Sequence, residues 1–156
     1  MNGTVNPHEH DHEACVETAL ANAEAICKGK GLRLTAMRRQ VLELVWSSHE
    51  PVGAYELLDA LGRDGKRSAP PTVYRALEFL RDAGLVHRLD SLNAFVGCAS
   101  PGEAHHGQFL ICRQCNQVIE IDAQAISAAV ADSALACGFV AERQTLEVQG
   151  ICAQCQ

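Results

Sequence analysis

No apolar run in these 156 residues approaches the roughly 20 consecutive positions that a bilayer-spanning helix needs. The opening stretch, MNGTVNPHEHDHEAC, has neither the basic start nor the apolar segment of a secretory signal. These two absences predict a soluble, cytoplasmic protein with no membrane partner. Positive charge is also short, with 13 Lys and Arg against 19 Asp and Glu for a net charge of −6. Taken over the whole chain, that balance does not suit a polyanionic partner.

The shortage is uneven. Residues 1–27 carry five acids and no Lys or Arg, residues 28–88 carry eleven bases and seven acids, and residues 89–156 carry two bases and seven acids. A basic middle between acidic ends is what a local phosphate-binding surface needs. The 47% hydrophobic content is that of a chain able to bury a core, in one ordinary domain or two small ones. Eight cysteines in a cytosolic chain point to metal ligation rather than disulfides, because reducing thiol pools keep them open.

Residues 1–12 are polar and His-rich and are predicted to be a disordered tail, where His8, His10 and His12 have no scaffold to preorganise a site. Residues 13–98 form the first predicted domain. ACVETALANAEAICKGKG has apolar residues at helical spacing and stops at Gly29 and Gly31. Thr35 is placed to cap a second helix with Val41, Leu42, Val45 and Trp46 on one face. A third helix buries Leu57, Leu58 and Leu61 and ends at Gly62. Pro70 and Pro71 open a fourth, TVYRALEFLRDAG, closed by Gly84. LVHRLD and NAFVGC then make a hairpin.

Helices followed by such a hairpin form a winged helix-turn-helix, in which a recognition helix enters the DNA major groove. ASPGEA, residues 99–104, is the predicted linker. Residues 105–156 alternate strands with one helix, so the fold class is α+β: an N-terminal winged helix-turn-helix domain and a small C-terminal α/β domain. A unit of about 50 residues is marginal alone, so metal or dimerisation is expected to support it.

Cys112-x-x-Cys115 and Cys152-x-x-Cys155 are two thiolate pairs. Each pair can ligate one ion from a tight turn, and together they complete a closed, structural, tetrahedral zinc site. A second set of candidates is His87, Cys98, His105, His106 and Glu120. Alternation along VIEI sets Glu120 on the face opposite Ile119 and Ile121, and an acid within an apolar strand needs a partner such as a cation. Ligands drawn from both halves would couple metal binding to conformation.

The segments RLTAMRRQVLEL, PPTVYRALEFLRDAGLVHRL, HHGQFLICRQCNQVIEI and GICAQC resemble the ferric uptake regulator (Fur) superfamily, over about residues 20–155. Within it the chain is similar to the zinc uptake regulator branch. The resemblance implies a homodimer joined through the C-terminal domains, palindromic operator DNA, zinc as co-repressor and zinc-import promoters as targets. By position it implies two zinc ions per chain. Cys112, Cys115, Cys152 and Cys155 match the structural site, and His87, Cys98, His105 and Glu120 match the regulatory one, with His106 the competitor of His105. Iron-sensing members carry Asp and His where this chain has Gln108 and Phe109, which favours zinc over iron or manganese.

Thr72, Tyr74 and Arg75 fall at the start of the recognition helix, the end that meets base edges, and Arg75 suits guanine O6 and N7. Lys66 and Arg67 are candidate phosphate contacts, as are Arg38 and Arg39. Tyr55 matches a DNA-contacting tyrosine of the family, with packing beside Leu57 and Leu58 as its other role. Cys15, Cys27 and Cys137 lie in helical patterns as small buried residues. The expected function is therefore a non-enzymatic, zinc-responsive DNA-binding repressor. The alternatives are an iron- or manganese-responsive relative, or a zinc hydrolase or deaminase with Glu120 as base. A deaminase, however, places its Glu in a His-x-Glu pattern that is absent here.

Overall fold

The computed structural model describes residues 12–48, 50–63, 68–103 and 105–156. They divide into two compact units, one ending at Gly102 and the other spanning Glu103–Gln156. Among them no helix is long and apolar enough to cross a membrane.

The first unit contains α1 (His12–Gly29), α2 (Ala36–Ser47), α3 (Ala54–Arg63) and α4 (Pro70–Asp82), followed by β1 (Val86–Leu89) and β2 (Ala94–Gly97). Thr35 caps α2 from an extended backbone, its hydroxyl accepting from the Arg38 amide at 3.4 Å, a contact of the kind worth about 1 kcal/mol. In α4 the missing proline N–H groups fall where the helix has no use for them. At its other end Gly84 takes φ +77°, so the Gly84 amide reaches Arg81 O at 3.0 Å and the Leu85 amide reaches Leu80 O at 2.8 Å. Those bonds satisfy carbonyls that the last turn leaves open.

Spacing decides what each helix buries. Val73, Ala76, Leu77 and Leu80 line one face of α4 and pack with Val41, Leu42 and Val45 of α2, Leu57 and Leu61 of α3, and Ala23 and Cys27 of α1. The β1–β2 pair is antiparallel, with His87 opposite Val96, and turns through Asn93 at φ 48°. Val52, before α3, exchanges backbone hydrogen bonds with Phe95 at 3.0 and 2.8 Å, which ties this wing to the helices.

Several expectations shift. α1 already begins at His12, because the helical pattern extends to the edge of the predicted tail, and residues 1–11 lie outside the described residues. Gly62 sits inside α3 rather than ending it, and Leu58 is half-buried at the rim of the core. Cys27 is buried, Cys15 is half-buried and Cys137 is exposed at the end of α5, so helical spacing alone overstated the burial of two thiols.

The second unit is a three-stranded sheet in the order β4-β3-β5 with one crossover helix. β3 (Gly107–Cys112) pairs antiparallel with β4 (Val118–Glu120) and parallel with β5 (Thr145–Gly150), while α5 (Gln124–Ala136) lies between β4 and β5 in the chain. The last strand starts at Thr145, after Gly138 at φ +72° has closed the helix. Phe109, Ile111 and Cys112 are the buried hydrophobics here, and α5 buries none of its residues. Leu135, Phe139 and Val140 stay 64–73% exposed.

Gly97 tolerates no side chain. A Cβ there would lie 2.3 Å from Trp46 Cε2. Gly97→Ala should therefore displace the indole and cost about 1–3 kcal/mol, as overpacking does. Trp46 is the single tryptophan, so its fluorescence should shift in the variant alongside a lower thermal midpoint. An unchanged spectrum and midpoint would show that the close approach does not constrain this position.

Candidate metal centres and nucleic-acid face

The parallel pairing of β3 with β5 puts the C-terminal ends of both strands side by side, with Cys112 opposite Gly150. Each strand then runs into a tight turn. In the first, the Asn116 amide donates to Cys112 O at 3.0 Å and Asn116 takes φ 58°. In the second, the Cys155 amide donates to Cys152 O at 3.0 Å. The Arg113 amide, donating to Gly150 O at 2.9 Å, carries the pairing one step past the strands.

The four sulfurs consequently lie within 4.8 Å of one another, and Cys115 Sγ and Cys152 Sγ are 3.7 Å apart. Tetrahedral zinc with Zn–S bonds of about 2.3 Å separates its sulfurs by roughly 3.8 Å, so the set fits that ion. The spacing is far from a disulfide, and all four cysteines are free. The Cys152 amide, donating to Cys112 Sγ at 3.4 Å, and the Cys115 amide draw the Cys112 thiol down to about 6. Cys155 goes the other way, to about 12, because hydrogen bonding with Cys152 and burial favour its protonated form and the Cys112 charge opposes a second one. Four adjacent thiolates therefore need a cation.

The other candidate ligands divide between the units. In the first, Cys98 follows Val96 by two positions, so it shares the face that carries His87 on the neighbouring strand. A His87 ring nitrogen and the Cys98 sulfur lie within 4.8 Å, and Cys98 is 1% exposed. In the second, His105 Nε2 meets Glu120 Oε1 at 3.0 Å, both side chains being 14% exposed. His105 Nδ1 faces Glu103 O at 2.9 Å, a backbone contact of the kind that orients a ligand imidazole. His106 is exposed, so within this unit His105 is the histidine brought to Glu120. The carbonyl of Glu103 escaped the sequence reading because every residue has one.

Thr72, Tyr74 and Arg75 are exposed along α4 while its opposite face is core. Glu78 joins them one turn later, and an exposed acid there could accept from cytosine N4. Tyr55 is 73% exposed, so it does not pack beside Leu57 and Leu58. Lys66 and Arg67 lie outside the described residues. Arg38 and Arg39, the other candidate phosphate contacts, each have a partner within the fold. Arg38 stacks 3.6 Å over the Phe79 ring and donates to Arg33 O at 2.6 Å, and Arg39 pairs with Glu24.

The ferric uptake regulator family profile matches residues 29–149. The zinc uptake regulation protein of Escherichia coli (strain K12) is 37% identical over 137 residues, 87% of this chain and 80% of that protein. A crystal structure of holo XcZur matches with a TM-score of 0.83 at 45% identity, covering 88% of this chain and 96% of that one. A zinc uptake regulator complexed with zinc and DNA matches with a TM-score of 0.86 at 36% identity, covering 90% and 94%.

Cys112→Ser and Cys155→Ser should each lose tightly held zinc, and amide protection in β3 and β5 should fall while α2–α4 keep theirs. Metal content after dialysis and hydrogen exchange measure this. Ligation needs thiolates, so protons compete with the ion. Apparent zinc affinity should rise with pH through the neutral range, by about tenfold per pH unit for each proton displaced, and should fall further once Cys112 protonates below about 6. A pH-independent affinity would contradict the four-thiolate site.

Proposed function

This chain belongs to the ferric uptake regulator family, and we propose that it is a zinc-responsive, sequence-specific DNA-binding repressor of zinc uptake genes. The observation that carries this reading is the α4 surface. Thr72, Tyr74 and Arg75 stand in solvent on a helix whose other side is core, which is how a recognition helix meets a groove. The protein is cytoplasmic and not an enzyme. Glu120 is engaged by His105 and serves as a ligand rather than a general base.

Each chain takes two zinc ions. Cys112, Cys115, Cys152 and Cys155 hold the structural one, whose bonds supply folding free energy to a unit with little core. His87 and Cys98 of the wing, with His105 and Glu120 of the second unit, hold the regulatory one. An imidazole and thiolate set suits zinc. The exposed Leu135, Phe139 and Val140 support dimerisation through the second unit, since large apolar side chains left in solvent suit an interface. A homodimer presents two α4 helices to a palindromic operator, and helix spacing must match the groove repeat of about 34 Å. By ligating one ion, the two ligand pairs fix that spacing. Every tenfold gain in DNA affinity corresponds to about 1.4 kcal/mol of coupling.

Cys98→Ser and His87→Ala should keep the dimer and one zinc per chain yet lose zinc-dependent operator binding, measured by gel shift across buffered zinc, iron and manganese. Normal zinc dependence in Cys98→Ser would remove these residues from the sensor. Arg75→Ala should cost about 1–3 kcal/mol on operator and less on scrambled DNA, whereas Lys66→Ala should weaken both equally and shallow the salt dependence. Equal losses on both duplexes for Arg75→Ala would make it a phosphate contact.

A further inference from the structure

Gln108 is the only fully buried polar side chain among the described residues. Its amide is used at both ends. Oε1 accepts from the Ala123 amide at 3.0 Å, while Nε2 donates to Ala123 O at 3.2 Å and to Ser127 Oγ at 2.7 Å. Its backbone carbonyl accepts from the Ile121 amide at 2.8 Å. One residue of β3 therefore grips the chain at 121, 123 and 127, the corner where β4 ends and α5 begins.

That corner carries Glu120. β4 is only three residues long and pairs with β3 alone, so it has little hold of its own on the carboxylate at its last position. Glu120 lies opposite Phe109, the residue after Gln108, and immediately precedes the Ile121 amide that Gln108 holds. Ala123, at the N-cap of α5, has no side chain to close the helix start, and Gln108 closes it from the neighbouring strand. A neutral amide does this without adding an ionisable group beside the His105–Glu120 pair.

We infer that Gln108 is a positioning residue for Glu120, fixing the β4–α5 corner so that the carboxylate meets His105 and the regulatory zinc. This rests on the ligand set proposed above. Losing a direct hydrogen-bond partner of a metal ligand commonly costs about 10–100-fold in affinity. Gln108, which braces the backbone beside Glu120 rather than its carboxylate, is expected at the low end of that range.

The test uses the full-length dimer. Gln108→Met keeps the side-chain volume and removes its hydrogen bonds, and Ser127→Ala removes only the 2.7 Å contact. Zinc is titrated against a competing chelator, and cobalt(II) absorption reports the geometry of the second site. Gln108→Met should keep the structural zinc and the dimer, weaken the second zinc about tenfold and change the cobalt spectrum. Ser127→Ala should shift affinity in the same direction by less. A helix-stabilising role alone would lower the thermal midpoint of Gln108→Met and leave the second zinc at wild-type affinity, and that result overturns the inference. If Gln108→Met does not fold, Ser127→Ala decides, with unchanged zinc affinity counting against the inference. Glu120→Ala separates the two levels. Its keeping the second zinc sinks the ligand set and the inference with it, whereas its loss beside an unaffected Gln108→Met sinks the inference alone.

Discussion

The parallel pairing of β3 with β5 is the constraint on which the second unit depends. Parallel strands end at the same edge of a sheet, so the two Cys-x-x-Cys turns are delivered to one place although 36 residues separate them in sequence. An antiparallel pairing would have set the turns at opposite ends. The pairing also explains the division of labour between strand and metal, since a sheet of three short strands buries few side chains. Four thiolates within 4.8 Å repel one another, so a cation held among them would stabilise the strand pairing in turn.

The two ligand sets differ in chemistry and in how they are held. The four cysteines come from turns at strand ends, all within one unit and all soft, which leaves no open position for exchange. The His and Glu of the same unit are held by polar contacts: Glu103 O turns the His105 ring, and Gln108 grips the corner beside Glu120. His87 and Cys98 belong to a hairpin, on positions that the pleat puts on one face. In the proposed sensor these pairs would act together, and such a site would depend on conformation in a way that a closed four-cysteine site does not.

Electrostatics in the first unit show why charge counts mislead. Residues 28–88 hold an excess of bases, yet Arg38 and Arg39 are occupied by a ring, a carbonyl and a carboxylate within the fold. The charge free to meet phosphate is smaller than the sum implies. What distinguishes α4 is its division into a core face and an open one carrying Thr72, Tyr74 and Arg75.

The sequence by itself determined whatever depends on near neighbours. Thr35 as a cap, prolines opening α4 and Gly84 closing it are local steric and hydrogen-bonding facts, and each holds in the fold. Paired thiols at a ligand spacing are equally local, because one turn brings both sulfurs of a pair to one ion. Only the tertiary structure put the His105 ring rather than that of His106 beside Glu120, since adjacent residues look alike until the strand direction turns one of them. It also decided that Arg38 and Arg39 have partners within the fold, that Cys137 is exposed, and that Gln108 braces the β4–α5 corner. Each of these turns on a contact between residues distant in sequence, or on its absence. Helical periodicity ranks faces of one element and carries no information about what another element brings to them.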